Sequence, residues 1–201
     1  MKINNFTDYY LSSSLTFYDD KIICQSEDWM GFNKEIMMDW EHPAMSASAA
    51  YITQGGGDIL EIGFGMGISA GYIQSHSISS HTSIENHPQI ITKAVEWAGG
   101  KSNVTIVSQS WYDVRNSLGT FDGIFYDTFD DEYMGEFSSS LSSLTKSGTK
   151  ATMFWGGTND TSSWSPSDRF DIKSFQTIDI NVEDNSYYDD TDTYYLPKME
   201  F

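Results

Sequence analysis

The chain has 201 residues and carries 29 acidic against 11 basic side chains, a formal net charge of −18. That length fits one domain with a real core, and so anionic a surface repels phosphate backbones, which excludes nucleic acid as a partner. No apolar run reaches the roughly 18 residues that a membrane span needs, the segment after Met1 lacks the apolar stretch of a secretory leader, and the single cysteine, Cys24, fits a reducing cytoplasm.

Residues 1–35 are rich in serine, acids and aromatic residues and read as an N-terminal extension. Within it Leu15–Tyr18, Asp19-Asp20 and Lys21–Cys24 have the pattern of a small hairpin. Phe6, Tyr9, Tyr10 and Phe17 suit either ordinary packing or a lid over a pocket. Residues 36–201 form the main domain. Ile36, Met37 and Trp40 recur at helical spacing, and Pro43 suits the first turn of a second helix rich in alanine and serine.

Ile59, Leu60 and Ile62 then form a short apolar run that ends in three alternate glycines, Gly63, Gly65 and Gly67. A buried parallel strand enters a tight turn in this way before a helix, here Ile68 to Gln74. The absence of Cβ atoms lets a ligand approach the main chain, and the helix aims its positive end at the turn. The spacing is G-x-G-x-G rather than the G-x-G-x-x-G of dinucleotide sites. With Glu61 two residues ahead, it resembles motif I of the class I S-adenosylmethionine (SAM) methyltransferases.

His81–Glu85 reads as a second strand ending in an acid. Glu85 lies 22 residues after Gly63, near the roughly 20 expected of an acid that reaches ribose hydroxyls. A helix from Pro88 to Trp97 stops at Gly99-Gly100. A strand over 103–107 follows, with Ser110, Trp111 and Tyr112 at its end. Phe121–Thr128 is a fourth strand with Asp127 at its tip, Tyr133–Leu144 a helix, and Thr149–Trp155 a fifth strand. Ser165-Pro166 opens a turn or short helix. Phe175–Val182 and Thr193–Phe201 form an antiparallel closing pair, separated by acids (Glu183, Asp184, Asp189, Asp190, Asp192) that read as a solvated loop. The alternation predicts an α/β, doubly wound, mostly parallel Rossmann-like sheet. Glu61, Glu85, Trp111 and Asp127 all fall at carboxyl ends of strands, where such sheets bind ligands.

Asp127 stands where an acceptor would meet a methyl donor, and a carboxylate there can hold a cationic nitrogen and take its proton. Glu41 would be a second carboxylate if the N-terminal segment folds across the opening, and two carboxylates suit a planar guanidinium. A helix cap would explain Asp127, and an exposed helix end Glu41, equally well in residue terms. The four histidines show no metal-ligand spacing, so no metal is expected.

Four stretches carry a closer resemblance: Ile36–Met45, Leu60–Met66, Phe121–Thr128 and Tyr194–Met199. Together they resemble the guanidinoacetate N-methyltransferase family and its relative, protein arginine N5-methyltransferase. That resemblance implies that Glu41 and Asp127 grip a guanidino group, with Met37 and Met45 lining that side. Phe64, Gly65, Met66, Gly67, Ile68 and Ser69 would cradle the methionine portion of SAM. Glu85 would take the ribose hydroxyls with Asn86 beside it, and Ser110 and Trp111 would border the adenine. Phe129 and Tyr112 depart from the animal enzyme, which has tyrosine and an acid there. The expected activity is methyl transfer from SAM, leaving S-adenosylhomocysteine, to a cationic guanidino small molecule. A protein arginine N-methyltransferase and a SAM-binding protein without catalysis are the alternatives. An amino-methyltransferase of DNA is disfavoured by charge and by Tyr126–Phe129 in place of Asp-Pro-Pro-Tyr. Oligomeric state is not fixed by the sequence.

Overall fold

The computed structural model describes residues 6–25, 34–129, 131–156, 159–160, 171–188 and 192–201. Its centre is β4 (Asp58–Ile62), whose apolar run is explained by parallel neighbours on both edges, β5 (Ser80–Glu85) and β7 (Phe121–Tyr126). Beyond them lie β6 (Val104–Ser108) and β8 (Thr145–Met153), both parallel. The antiparallel pair β10 (Thr193–Glu200) and β9 (Ile172–Asp179) closes the sheet in the order β6-β5-β4-β7-β8-β10-β9. This is the doubly wound, Rossmann-like arrangement expected, with an antiparallel edge. The Ser165-Pro166 turn lies outside the described residues.

Helix α2 (His42–Ile52) carries Pro43 in its first turn, where the missing N–H costs nothing. It lies so close to β7 that a Cβ on Gly123 would fall 2.2 Å from the carbonyl oxygen of Ile52. Tyr51 Oη donates to the carbonyl of Met199 at 2.9 Å, tying α2 to β10. Helices α3 (Ile68–Gln74), α4 (Pro88–Ala98), the short α5 (Trp111–Val114) and α6 (Met134–Leu144) complete the domain. The α5 turn was not anticipated, and β8 begins four residues earlier than expected.

The first elements form a separate antiparallel sheet, β1 (Ser14–Phe17), β2 (Lys21–Gln25) and β3 (Lys34–Met38), preceded by α1 (Phe6–Ser12). The hairpin is therefore present. The helix expected across residues 35–41 is not: β3 pairs with β2, and a single 3-10 turn, Asp39–Glu41, follows. Strand β3 also crosses the 35/36 division drawn from the sequence. This small sheet shares its own core with the main domain: Leu15, Ile22 and Cys24 pack with Phe64, Ala70, Ile90 and Ala94. Polar contacts fix it over α4. The N–H of Leu15 donates to Gln89 Oε1 at 2.8 Å, and His87, which caps α4 through Nδ1, pairs its Nε2 with the carbonyl of Ser13 at 3.3 Å. Among the described residues no helix is long and apolar enough to cross a membrane.

Candidate active site

A partly open cleft lies at the carboxyl ends of β4, β5 and β7, under the small sheet. Its floor is the glycine turn. Gly63 has φ +93°, and a Cβ there would come within 1.7 Å of the carbonyl oxygen of Asp127, so only glycine lets the turn pass the tip of β7. The N–H of Asp127 in turn donates to the carbonyl of Ile62 at 2.8 Å. Gly65 (φ +53°) faces Met37 from β3, whose sulfur would lie 2.6 Å from an added Cβ and accepts the N–H of Met66 at 3.2 Å.

The structure brings Met37, Gly63, Phe64, Gly65, Glu85, Asn86, Trp111 and Asp127 together on the cleft wall. Glu85 Oε1 accepts the N–H groups of Asn86 and His87, both at 2.8 Å, and Oε2 accepts that of Phe64 at 3.1 Å. Burial pushes its pKa up and these N–H groups oppose that. Trp111 is held at one end by Asp131, which accepts its indole N–H together with Tyr126 Oη (2.7 Å) and the N–H of Tyr133 (2.9 Å).

Other expected site residues stand back from the cleft. Met66, Gly67 and Ile68 complete the turn and begin α3, Ser110 stands just before α5 without a side-chain bond to it, and Met45 is fully buried in the main core. Glu61 and Ser69 lie wholly in the interior: Ser69 Oγ donates to Glu61 Oε1 at 2.6 Å, and His81 Nε2 lies 3.1 Å from Oε2. They brace the strand–turn–helix junction from below.

Glu41 also sits off the cleft wall. Carried by the 3-10 turn after β3, it is 3% exposed. Its Oε1 accepts the N–H of Met38 at 2.9 Å and the hydroxyl of Tyr187 at 2.6 Å. Burial pushes its pKa up to about 7. Burial also raises Asp127 well above the usual carboxylate range, with the charges of Glu41 and Glu61 adding to the effect. The two acids therefore lie in one poorly solvated region, where the charge of Glu41 holds Asp127 back from ionising, a state that a bound cation would relieve.

The sequence left Tyr10 open between ordinary packing and a lid, and missed several other participants. Tyr10 lines the cleft, its ring set between His87 (4.8 Å) and Phe129 (5.3 Å). Ile36, Thr128 and Asp131 also line it. Tyr187 comes from the acid-rich segment read as a solvated loop: Glu183 and Asp184 are exposed, but Tyr187 and Tyr188 turn inward onto Trp40. Their aromatic character inside an acidic stretch was the available signal.

A seven-stranded sheet in this order, with a glycine turn after its central strand and an acid at the tip of the next, is the class I methyltransferase fold. Thermotoga maritima spermidine synthase superposes with a TM-score of 0.60 at 13% identity, over 93% of this chain and 72% of that one. Aeropyrum pernix fibrillarin, solved with S-adenosyl-L-methionine natively bound, gives 0.54 at 12% identity over 92% and 97%. At such identities the likeness concerns the fold alone. The family described as guanidinoacetate N-methyltransferase matches residues 24–143, and the chain belongs to that family. Among curated proteins, protein arginine N-methyltransferase 2 of Aspergillus oryzae is 38% identical over 135 residues, 64% of this chain and 31% of the relative. That of Saccharomyces cerevisiae is 35% identical over 136 residues, 62% and 32%. The chain thus spans about a third of the length of these relatives.

Proposed function

We propose that this chain is a SAM-dependent N-methyltransferase acting on a guanidino-group small molecule. The observation that carries the reading is the carboxylate of Asp127 on the wall of the cleft floored by the glycine turn, with the buried carboxylate of Glu41 close enough for its charge to act on it. The cleft fits the donor on its own terms: the alternate glycines leave main chain open to a ligand, Glu85 places a carboxylate on the wall, where it could also accept from ribose hydroxyls, and Trp111 offers a fixed aromatic wall. When bound, SAM supplies a methyl group on a positively charged sulfur.

The chain's residues do the rest. Asp127 and Glu41 hold a planar cation through charge-assisted hydrogen bonds, and the cation draws both acids into their ionised form. Fixing the acceptor nitrogen against the donor replaces a chance encounter with a set geometry, which accounts for up to about 7–11 kcal/mol of a barrier. When a nitrogen–carbon bond forms and the carbon–sulfur bond breaks, the acceptor carries one N–H proton too many. Asp127, its pKa raised by burial, is suited to take that proton. The small sheet lies over part of the cleft through Ile36 and Met37, which limits the access of water to it.

Methylation of arginine in a protein chain would use the same two acids. That second reading is favoured by the name that the matched relatives share. Labelled SAM offered with free guanidino compounds and with arginine-containing proteins separates the two. Asp127→Ala and Glu41→Ala are expected to abolish transfer while donor binding survives. Full turnover in Asp127→Ala would overturn the mechanism.

A further inference from the structure

The carboxylate of Glu41 is used unevenly. Oε1 receives two donors, the N–H of Met38 and the hydroxyl of Tyr187, which together occupy its lone pairs. Among the described residues Oε2 receives none. Tyr187 reaches Glu41 across 146 positions of sequence, so its arrival depends on how the β9–β10 loop is built. Asn185 Oδ1 accepts the N–H groups of Tyr187 (2.9 Å) and Tyr188 (2.7 Å), which fixes a tight turn. Ser186 Oγ donates to Glu35 Oε2 at 2.6 Å and Tyr188 Oη to the carbonyl of Thr193 at 2.9 Å, fastening the turn on both sides. The ring of Tyr187 stacks on Trp40, centroids 5.8 Å apart at 26°.

Resting on the function proposed above, we infer that Tyr187 is a positioning residue of the acceptor site, its hydroxyl pinning Oε1 of Glu41 so that Oε2 is the oxygen offered to the acceptor nitrogen. A carboxylate held at one oxygen cannot rotate freely about its last bond, so the direction of its remaining lone pairs is set before an acceptor arrives. The hydroxyl also stabilises the ionised form of Glu41 against burial. It remains a donor throughout, because burial and the nearby charges of Glu41, Asp127 and Glu35 oppose loss of its own proton. The titratable groups around Glu41 are thus Tyr187 from the loop, Asp127 after β7 and Tyr194 on β10, with Glu35 beyond Tyr187 and Glu61 acting on Asp127.

Two phenylalanine variants isolate the role. Tyr187→Phe keeps the ring on Trp40 and removes only the hydroxyl that meets Glu41. Tyr188→Phe removes a hydroxyl from the same turn without touching Glu41. Tyr187→Phe is expected to raise the acceptor KM about tenfold or more, the worth of one hydrogen bond to a charged group. It should leave the donor KM unchanged and move the acidic limb of kcat/KM to higher pH. Tyr188→Phe should leave that limb in place. Equal losses in both variants with the limb unmoved would make the loop a structural strap and overturn the inference. A readout without acceptor is the carboxyl carbon resonance of Glu41 in glutamate-labelled protein, assigned with Glu41→Gln. Its titration midpoint should rise in Tyr187→Phe, and an unmoved midpoint overturns the inference whatever the turnover. If wild-type protein methylates no guanidino compound while the midpoint still moves, the functional reading falls and the hold of Tyr187 on Glu41 stands.

Discussion

Glu41 shows how burial sets both the working range of the site and part of its stability. Its pKa is raised from the usual carboxylate value to about 7, chiefly by loss of water. Only the ionised form attracts a cation, so kcat/KM for a guanidino acceptor should fall as pH drops through about 7, while donor binding measured by calorimetry stays level. Folding runs the other way. A raised folded-state pKa gives stability that is complete below the ordinary carboxylate range and is lost as pH rises through about 7. The ligand-free protein should therefore melt lower at neutral than at mildly acidic pH, and a guanidino ligand should reverse that loss. Gly63 is the second residue on which the site turns. Gly63→Ala combines a left-handed backbone with a contact that has no room, so it should cost about 2 kcal/mol or more in urea denaturation and displace Asp127.

Elements differ in how far the chain announces them. Strands β4 and β7 were legible because a strand buried on both faces needs an apolar run, and the glycines after β4 mark where it must turn. Glu85 was legible by distance from that turn. Residues 35–41 were misread for a physical reason: Ile36, Met37 and Trp40 fit a helical stripe, but pairing with β2 and the seat of Met37 on Gly65 are long-range facts that local spacing does not contain. Tyr187 was hidden in the same way, its partner lying 146 residues off. The junction of β4, β5 and α3 rests on Glu61, Ser69 and His81, all buried. His81→Leu would leave the fully buried Glu61 with one partner fewer. A loss of about 3 kcal/mol is expected in chemical denaturation, with Glu61→Gln in the same background recovering part of it.

At the scale of the molecule the dominant quantity is the net charge of −18. Mutual repulsion of this size disfavours the compact state, and added salt screens it over about 8–10 Å. The melting temperature should rise with sodium chloride, whereas the KM of a cationic acceptor should increase as the same salt weakens its attraction to the protein. The small sheet adds a constraint of another kind. Ile36 and Met37 lie over the cleft, and the chain runs from them directly to Glu41 through one 3-10 turn. Were that strand to shift, one acid of the pair would therefore shift with it.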